Sequence, residues 1–321
     1  MTSVAVIGAG VAGLTVATVL AERGAEVAVV DRSPGLGPDQ CSWYAGGMLA
    51  PWCERENAEA EVVALGQGAA DFWAERVPGV VRRGSLVIAP ARDSGELRRF
   101  ARRTENFDWL DRDGIDALEP ALEGRFSRAL FFREEAHLDP RRALSALVDR
   151  LAAAGVEVRW GEEAVPETEW TVDCRGLAAA GDLPELRGVK GEMLYIMSPE
   201  VGLTRTIRLI HPRIPIYLVP RGDGMFMLGA TTIENDERKR ITARSMVELL
   251  SAVYALHPAF GEAEVAEIGT DARPAFPDNL PRVVRDGRRL HVNGLYRHGF
   301  LLAPAMAARA ADIVLGEGAG A

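Results

Sequence analysis

The chain opens on Val4-Ala5-Val6-Ile7-Gly8-Ala9-Gly10-Val11-Ala12-Gly13-Leu14, an apolar run that turns on glycine into a second apolar run. Gly8 permits a tight turn off a strand, Gly10 lets backbone approach a diphosphate, and Gly13 lets the following helix pack closely on that strand. The spacing predicts a helix from Val11 to Arg23 whose N-terminal amides face an anion. A second strand, Glu26-Val27-Ala28-Val29-Val30, leads to Asp31, where a carboxylate can accept hydrogen bonds from a ribose 2′-hydroxyl. Together these make a βαβ unit for a dinucleotide with an unphosphorylated ribose, NAD or FAD rather than NADP. An unrelated glycine-rich turn would leave Asp31 without a role.

Composition removes several alternatives. Of 321 residues 48% are hydrophobic, enough to build two modest domains. A formal charge of −9 with no basic stripe argues against a nucleic-acid partner. No apolar run is long enough to span a bilayer, so no membrane association is expected. The three cysteines, Cys41, Cys53 and Cys174, have no C-x-x-C spacing, and the five histidines show no paired-ligand spacing. Neither a disulfide framework nor a metal site is expected. Met1 leaves no room for a signal peptide before the first strand, and a cytoplasmic protein is the expectation.

Further along, apolar spacing predicts a helical run over 58–76, helices at 94–103, 140–154 and 242–257, and a closing helix from about Ala303 to Leu315. Short strands are expected at 84–89, 129–132, 156–160 and 170–176, the last ending in Gly176, a position suited to meet a cofactor. Residues 192–232 read as β-rich, with a hairpin at Gly222-Asp223-Gly224. The fold class is therefore α/β: a discontinuous Rossmann-like domain with an inserted α+β antiparallel-sheet domain. The division is expected at 1–85, 137–190 and 268–321 for the dinucleotide domain, with 86–136 and 191–267 for the substrate domain.

The segment Gly294-Leu295-Tyr296-Arg297-His298-Gly299-Phe300-Leu301-Leu302 is a glycine-punctuated turn into a helix. It gathers helix N-terminal amides and a guanidinium at one spot, which stabilises negative charge. A reduced flavin carries such charge on its pyrimidine side, so this turn favours FAD over NAD.

These features together resemble the flavin-dependent D-amino-acid oxidase superfamily, and within it the glycine oxidases of thiamine biosynthesis. The resemblance spans nearly the whole chain. It rests on Gly8 to Gly13, Cys41-Ser42 with Ala45 to Leu49, His137-Leu138-Asp139-Pro140, Val189-Lys190-Gly191-Glu192, Tyr217 to Arg221 with Gly229-Ala230-Thr231, Ala272-Arg273-Pro274, and Tyr296 to Gly299 with Leu301 to Pro304. It implies FAD contacts from Val11, Ala12, Asp31, Arg32, Cys41, Ser42, Gly46, Gly47 and Met48. It also implies backbone contact to adenine at Ala164 and a flavin wrapped by Leu295, Tyr296, Arg297, His298, Gly299, Phe300 and Leu301. No cysteine stands in that last segment to tether a flavin, so non-covalent FAD is expected. The resemblance further implies a homo-oligomer, a tetramer being the form suggested.

An amino-acid carboxylate is best held by a bidentate arginine. Arg273 is the first candidate, placed by the resemblance. Arg297, near the substrate amine or the flavin oxygen, is the second, and Tyr217 is a candidate hydroxyl donor to the same carboxylate, although half-buried packing explains it equally well. No side-chain base is required if a hydride leaves a neutral amine. Consistent with that, no carboxylate pair or histidine constellation is visible, and His298 has no evident partner. The expected activity is oxidation of glycine, sarcosine or small D-amino acids to the imine and then the 2-oxo acid, with O2 reduced to H2O2. The alternative is a flavin dehydrogenase of secondary amines or imino acids that hands electrons to another acceptor. Thr232, where a relative often carries Met, leaves the substrate range open.

Overall fold

The computed structural model describes residues 1–211, 215–238 and 240–316. The Gly/Ala-rich tail beyond them lies outside the described residues. Strand β1 (Ser3–Ile7), helix α1 (Val11–Glu22) and strand β2 (Glu26–Asp31) form the opening unit, with β1 and β2 parallel. Gly8 has a φ of 100°, and a Cβ there would lie 2.8 Å from the Cys174 carbonyl oxygen. A Cβ on Gly13 would lie 1.7 Å from the Gly8 carbonyl oxygen, inside any van der Waals contact. Helix α1 is buried from Val11 through Leu20, because helices Pro140–Ala153 and Gly299–Leu315 both pack against it. Its all-round apolar sequence follows from that position.

β1 sits inside a six-stranded sheet in the order Arg282–Asp286, Arg289–Asn293, Trp170–Asp173, β1, β2, Val158–Trp160. All neighbours are parallel except the first pair. The chain goes from β1 to β2 on one side while Trp170–Asp173 lies on the other, so the C-terminal end of β1 is a topological switch point. Open α/β sheets bind ligands there.

A second, eight-stranded sheet runs Glu264–Ala275, Arg187–Met197, Met225–Gly229, Ile216–Gly222, Thr206–Leu209, Ser85–Ile88, Arg128–Phe132, Asp108–Asp111. Its period-two alternation sorts residues between faces. Leu194, Ile196, Ile216 and Leu218 enter the apolar core shared with helix Ala243–Leu256. Met193, Tyr195, Tyr217 and Val219 pack together on the opposite face.

Several local expectations change. The apolar period over 58–76 resolves into two helices, Ala60–Gly66 and Ala69–Arg76, broken at Gln67-Gly68. Gly66 lets Leu301 of the closing helix approach, since a Cβ there would lie 2.8 Å from its side chain. The closing helix begins at Gly299 rather than near Ala303, and Trp73 Nε1 donates to the Phe300 carbonyl at 2.7 Å. Strand Glu264–Ala275, twelve residues long, was not anticipated: its first half is exposed and lacks a one-sided apolar pattern. The expected domain boundaries at 85/86, 190/191 and 267/268 each fall inside a strand of the larger sheet.

Candidate active site

A cavity of about 540 Å³ is walled by both sheets. One part of its wall is Gly8, Gly10, Val11, Ala12 and Asp31. Both Asp31 oxygens are oriented by backbone: Oδ2 accepts the Ala9 N–H and Oδ1 the Ser33 N–H at 2.7 Å. The Val11 N–H, at the start of α1, donates to Ser42 Oγ at 3.0 Å. Gly10 keeps the groove open, because its would-be Cβ meets only Ser42 Oγ, at 3.3 Å. Cys41 also lines the cavity, and burial pushes its thiol up to about 12, which keeps it protonated and unreactive. Arg32, Gly46, Gly47, Met48 and Gly176 line it too. Gly13 does not, because its place is at the helix–strand contact. Ala164 is exposed and off the wall, while its neighbours Glu162, Glu163 and Val165 are on it. The glycine cradle and the oriented carboxylate suit the ADP half of FAD.

Every residue from Leu295 to Leu301 lines the cavity. Tyr296 adopts a left-handed φ of 48°, and its N–H donates to the Pro274 carbonyl at 3.0 Å, tying this turn to the strand that carries Arg273. Arg273 is thus on a strand, not a loop. Its Nη2 donates to the Thr231 carbonyl at 2.7 Å. Gly191 on the paired strand makes room for it, since a Cβ there would lie 2.0 Å from Arg273 Nη2. Tyr217 is wedged between Gly46 and Gly229, whose would-be Cβ atoms lie 2.9 and 2.7 Å from its ring. Burial raises the Tyr217 pKa, so the phenol is a proton donor. Arg297 makes no hydrogen bond or ion pair with any described residue. Thr232 is on the wall as well.

The expectation that no histidine constellation exists is corrected. Helix α2 (Pro51–Glu54) places Glu54 on the cavity wall, 5% exposed. Its Oε1 accepts from Arg208 Nη1 at 2.9 Å, and its Oε2 lies 3.6 Å from His298 Nδ1. Burial alone would raise the Glu54 pKa, yet the guanidiniums of Arg208 and Arg297 outweigh it and hold the carboxyl at about 2. Burial also pulls His298 down to about 4, so its imidazole is neutral at pH 7. Glu54 and Arg208 are 154 positions apart, and nothing local in either segment signals the pair.

Behind α2, Glu135 is fully buried, and its Oε1 accepts the Cys53 N–H at 2.7 Å, which pins the turn bearing Glu54. Burial lifts the Glu135 pKa from 4.5 to about 7. A raised acid contributes stability below its unfolded value and loses it as pH climbs through its folded value. Thermal stability should therefore fall between about pH 4.5 and 7, on the order of 3 kcal/mol for a shift of this size. Glu135→Gln should flatten that slope in melting curves, and an unchanged slope would remove Glu135 as its source. Elsewhere, Asp173, Asp182 and His291 gather ligand atoms, but Asp173 is already paired with the guanidiniums of Arg175 and Arg289.

This combination of a switch-point dinucleotide groove and a cationic pocket defines a flavin-linked oxidoreductase. The family of FAD dependent oxidoreductases (DAO) matches residues 3–313, and the chain belongs to it. Within that family it groups with the glycine oxidase branch: a Rhizobium etli protein that carries the name thiamine biosynthesis oxidoreductase ThiO is 58% identical over 313 residues, covering 97% of this chain and 95% of that one. In fold it is similar to the glycine oxidase of Bacillus cereus, with a TM-score of 0.85 at 22% identity over 99% of this chain and 98% of that one. The L-α-glycerophosphate oxidase of Mycoplasma pneumoniae, solved with FAD bound, shares the fold at TM-score 0.81 and 18% identity, over 98% and 95%. Among the described residues no helix is long and apolar enough to cross a membrane.

Proposed function

We propose that this enzyme is an FAD-dependent amino-acid oxidase acting on glycine and other small amines such as sarcosine. The observation that carries the proposal is the set of unspent donors on the cavity wall. Arg297 has no partner among the described residues, and Arg273 spends one N–H on Thr231. Tyr217 presents a protonated phenol between two glycines. Two guanidiniums and a phenol in a half-buried pocket are complementary to a carboxylate. Arg273 and Tyr217 hold the substrate carboxylate, and Arg297 with the N-terminus of the closing helix stabilises negative charge beside it. FAD, held non-covalently by Gly8, Gly10, Val11, Ala12, Asp31, Ser42 and the segment 295–301, supplies the two-electron acceptor. Glycine, O2 and water give glyoxylate, ammonia and H2O2, with the imine formed first. The kinship with ThiO, by that protein's name, supports use of the imine in building the thiazole of thiamine; the enzyme works in the cytoplasm as a homo-oligomer.

Purified holoenzyme should release peroxide with glycine and sarcosine in air. Turnover with an artificial acceptor but none with O2 would convert the reading to a dehydrogenase. Silence with glycine, sarcosine, D-alanine and D-proline under both conditions would end it.

A further inference from the structure

The fold alone does not choose between amines and alcohols, as the glycerophosphate oxidase sharing it illustrates by its name. The clamp of Arg273, Tyr217 and Arg297 does not choose either, because a 2-hydroxy acid presents the same carboxylate as an amino acid. The choice has to come from a group that meets the other end of the substrate.

Glu54 is the acidic side chain on the cavity wall that is next to His298 of the flavin-facing turn. It belongs to the same constellation as the clamp: Arg273, Arg297 and Glu54 all act electrostatically on the Tyr217 phenol, and Glu54, Arg273 and Arg297 all act on His298. One of its oxygens is spent on Arg208. The other, Oε2, takes no hydrogen bond from any described residue, and its 3.6 Å separation from His298 Nδ1 is too long to count as one. Nor is Glu54 ion-paired with Arg297, although both line the cavity. The pocket thus offers one carboxylate oxygen without a donor and one guanidinium without an acceptor. Glu54 lines the cavity, so this ionised oxygen, without a donor from the described protein, is open to one that arrives from outside. A zwitterion satisfies both vacancies at once.

We infer that Glu54 Oε2 is the ammonium-binding group of the pocket, and that it makes the site selective for amino acids over hydroxy acids. Arg208 is a positioning residue. It holds Oε1 and keeps Glu54 ionised, so that Oε2 remains an acceptor throughout the physiological pH range. A hydroxy acid offers this oxygen one neutral donor, whereas an ammonium offers three charged ones. His298, neutral beside it, does not compete for the carboxylate as a cation. This inference rests on the reading of the site as an amino-acid pocket.

The test compares glycine with glycolate, which differ only in the ammonium and the hydroxyl. Binding is measured by calorimetry to the dithionite-reduced holoenzyme under anaerobic conditions, so that neither ligand reacts. In Glu54→Gln, glycine binding should weaken by about tenfold or more while glycolate changes less than twofold, and Glu54→Asp should recover part of the glycine affinity. The flavin spectrum and melting temperature of each variant report whether the fold is intact. Equal weakening of both ligands, or no change in either, would overturn the role of Glu54. If the wild-type enzyme is reduced by glycine and Glu54→Gln keeps the wild-type preference, this inference fails alone. If the wild-type enzyme binds glycolate but no amine, the amino-acid reading fails with it. Arg208→Met provides a second arm and should shift glycine affinity in the same direction as Glu54→Gln without touching the wall itself.

Discussion

Arg273→Ala should raise the KM for glycine by two orders of magnitude or more and leave FAD bound. Arg273 is held by its strand, by the Thr231 carbonyl and by the space above Gly191, so the guanidinium is already in its binding pose before substrate arrives. Preorganisation of this kind concentrates the binding energy in one residue. Loss of a desolvated, charge-assisted pair costs about 3 to 5 kcal/mol, or roughly a hundredfold to a few thousandfold. Arg273 is not on the Gly8 to Gly13 part of the wall, so the yellow colour should persist. Steady-state kinetics with a visible spectrum of the same sample reads both effects, and wild-type kinetics with glycine would remove Arg273 from the clamp.

Gly13→Ala should abolish folding of the dinucleotide unit, because the added methyl would sit 1.7 Å from the Gly8 carbonyl oxygen. A backbone atom cannot step aside as a side chain can. The destabilisation should exceed the usual overpacking range of about 1 to 3 kcal/mol and appear as insoluble or unfolded protein. Gly10→Val provides the contrast. Only Ser42 Oγ lies near its Cβ, so the chain should fold, yet the valine would occupy the groove and the protein should emerge colourless. Equal FAD content in Gly10→Val and wild type, by absorbance of the denatured extract, would contradict the groove assignment. Soluble, yellow Gly13→Ala would contradict the packing argument.

What the sequence made legible follows from how local each signal is. The opening unit was readable because a strand, a turn, a helix and an acid lie within one short segment, and each glycine answers to a neighbour close in sequence. The Arg297 turn was readable for the same reason. Arg273 was reached through family resemblance rather than local pattern, since the strand that carries it is half exposed and shows no clean alternation. Glu54 went unread because its meaning depends on Arg208 and His298, which reach it from a strand of the larger sheet and from the chain's far end. A lone glutamate after Trp52-Cys53 resembles any surface residue until those partners surround it. Ala164 is the converse case: a position carried over by resemblance stands between residues that line the cavity without lining it itself.

The Tyr296 to Pro274 hydrogen bond joins the turn 295–301 to the strand that carries Arg273, the proposed carboxylate clamp, and that strand runs in register with its neighbour from Ala275 (opposite Arg187) back to Glu267 (opposite Tyr195), where a bulge shifts the pairing. On the proposed roles of these residues, the span between cofactor and substrate is a property of a β-ladder rather than of a hinge. Such an enzyme reads its substrate with a fixed gauge. A longer amino acid has to find its room sideways, among Met48, Thr232 and Tyr217, and engineered changes of substrate size belong at those side chains rather than in any loop expected to open.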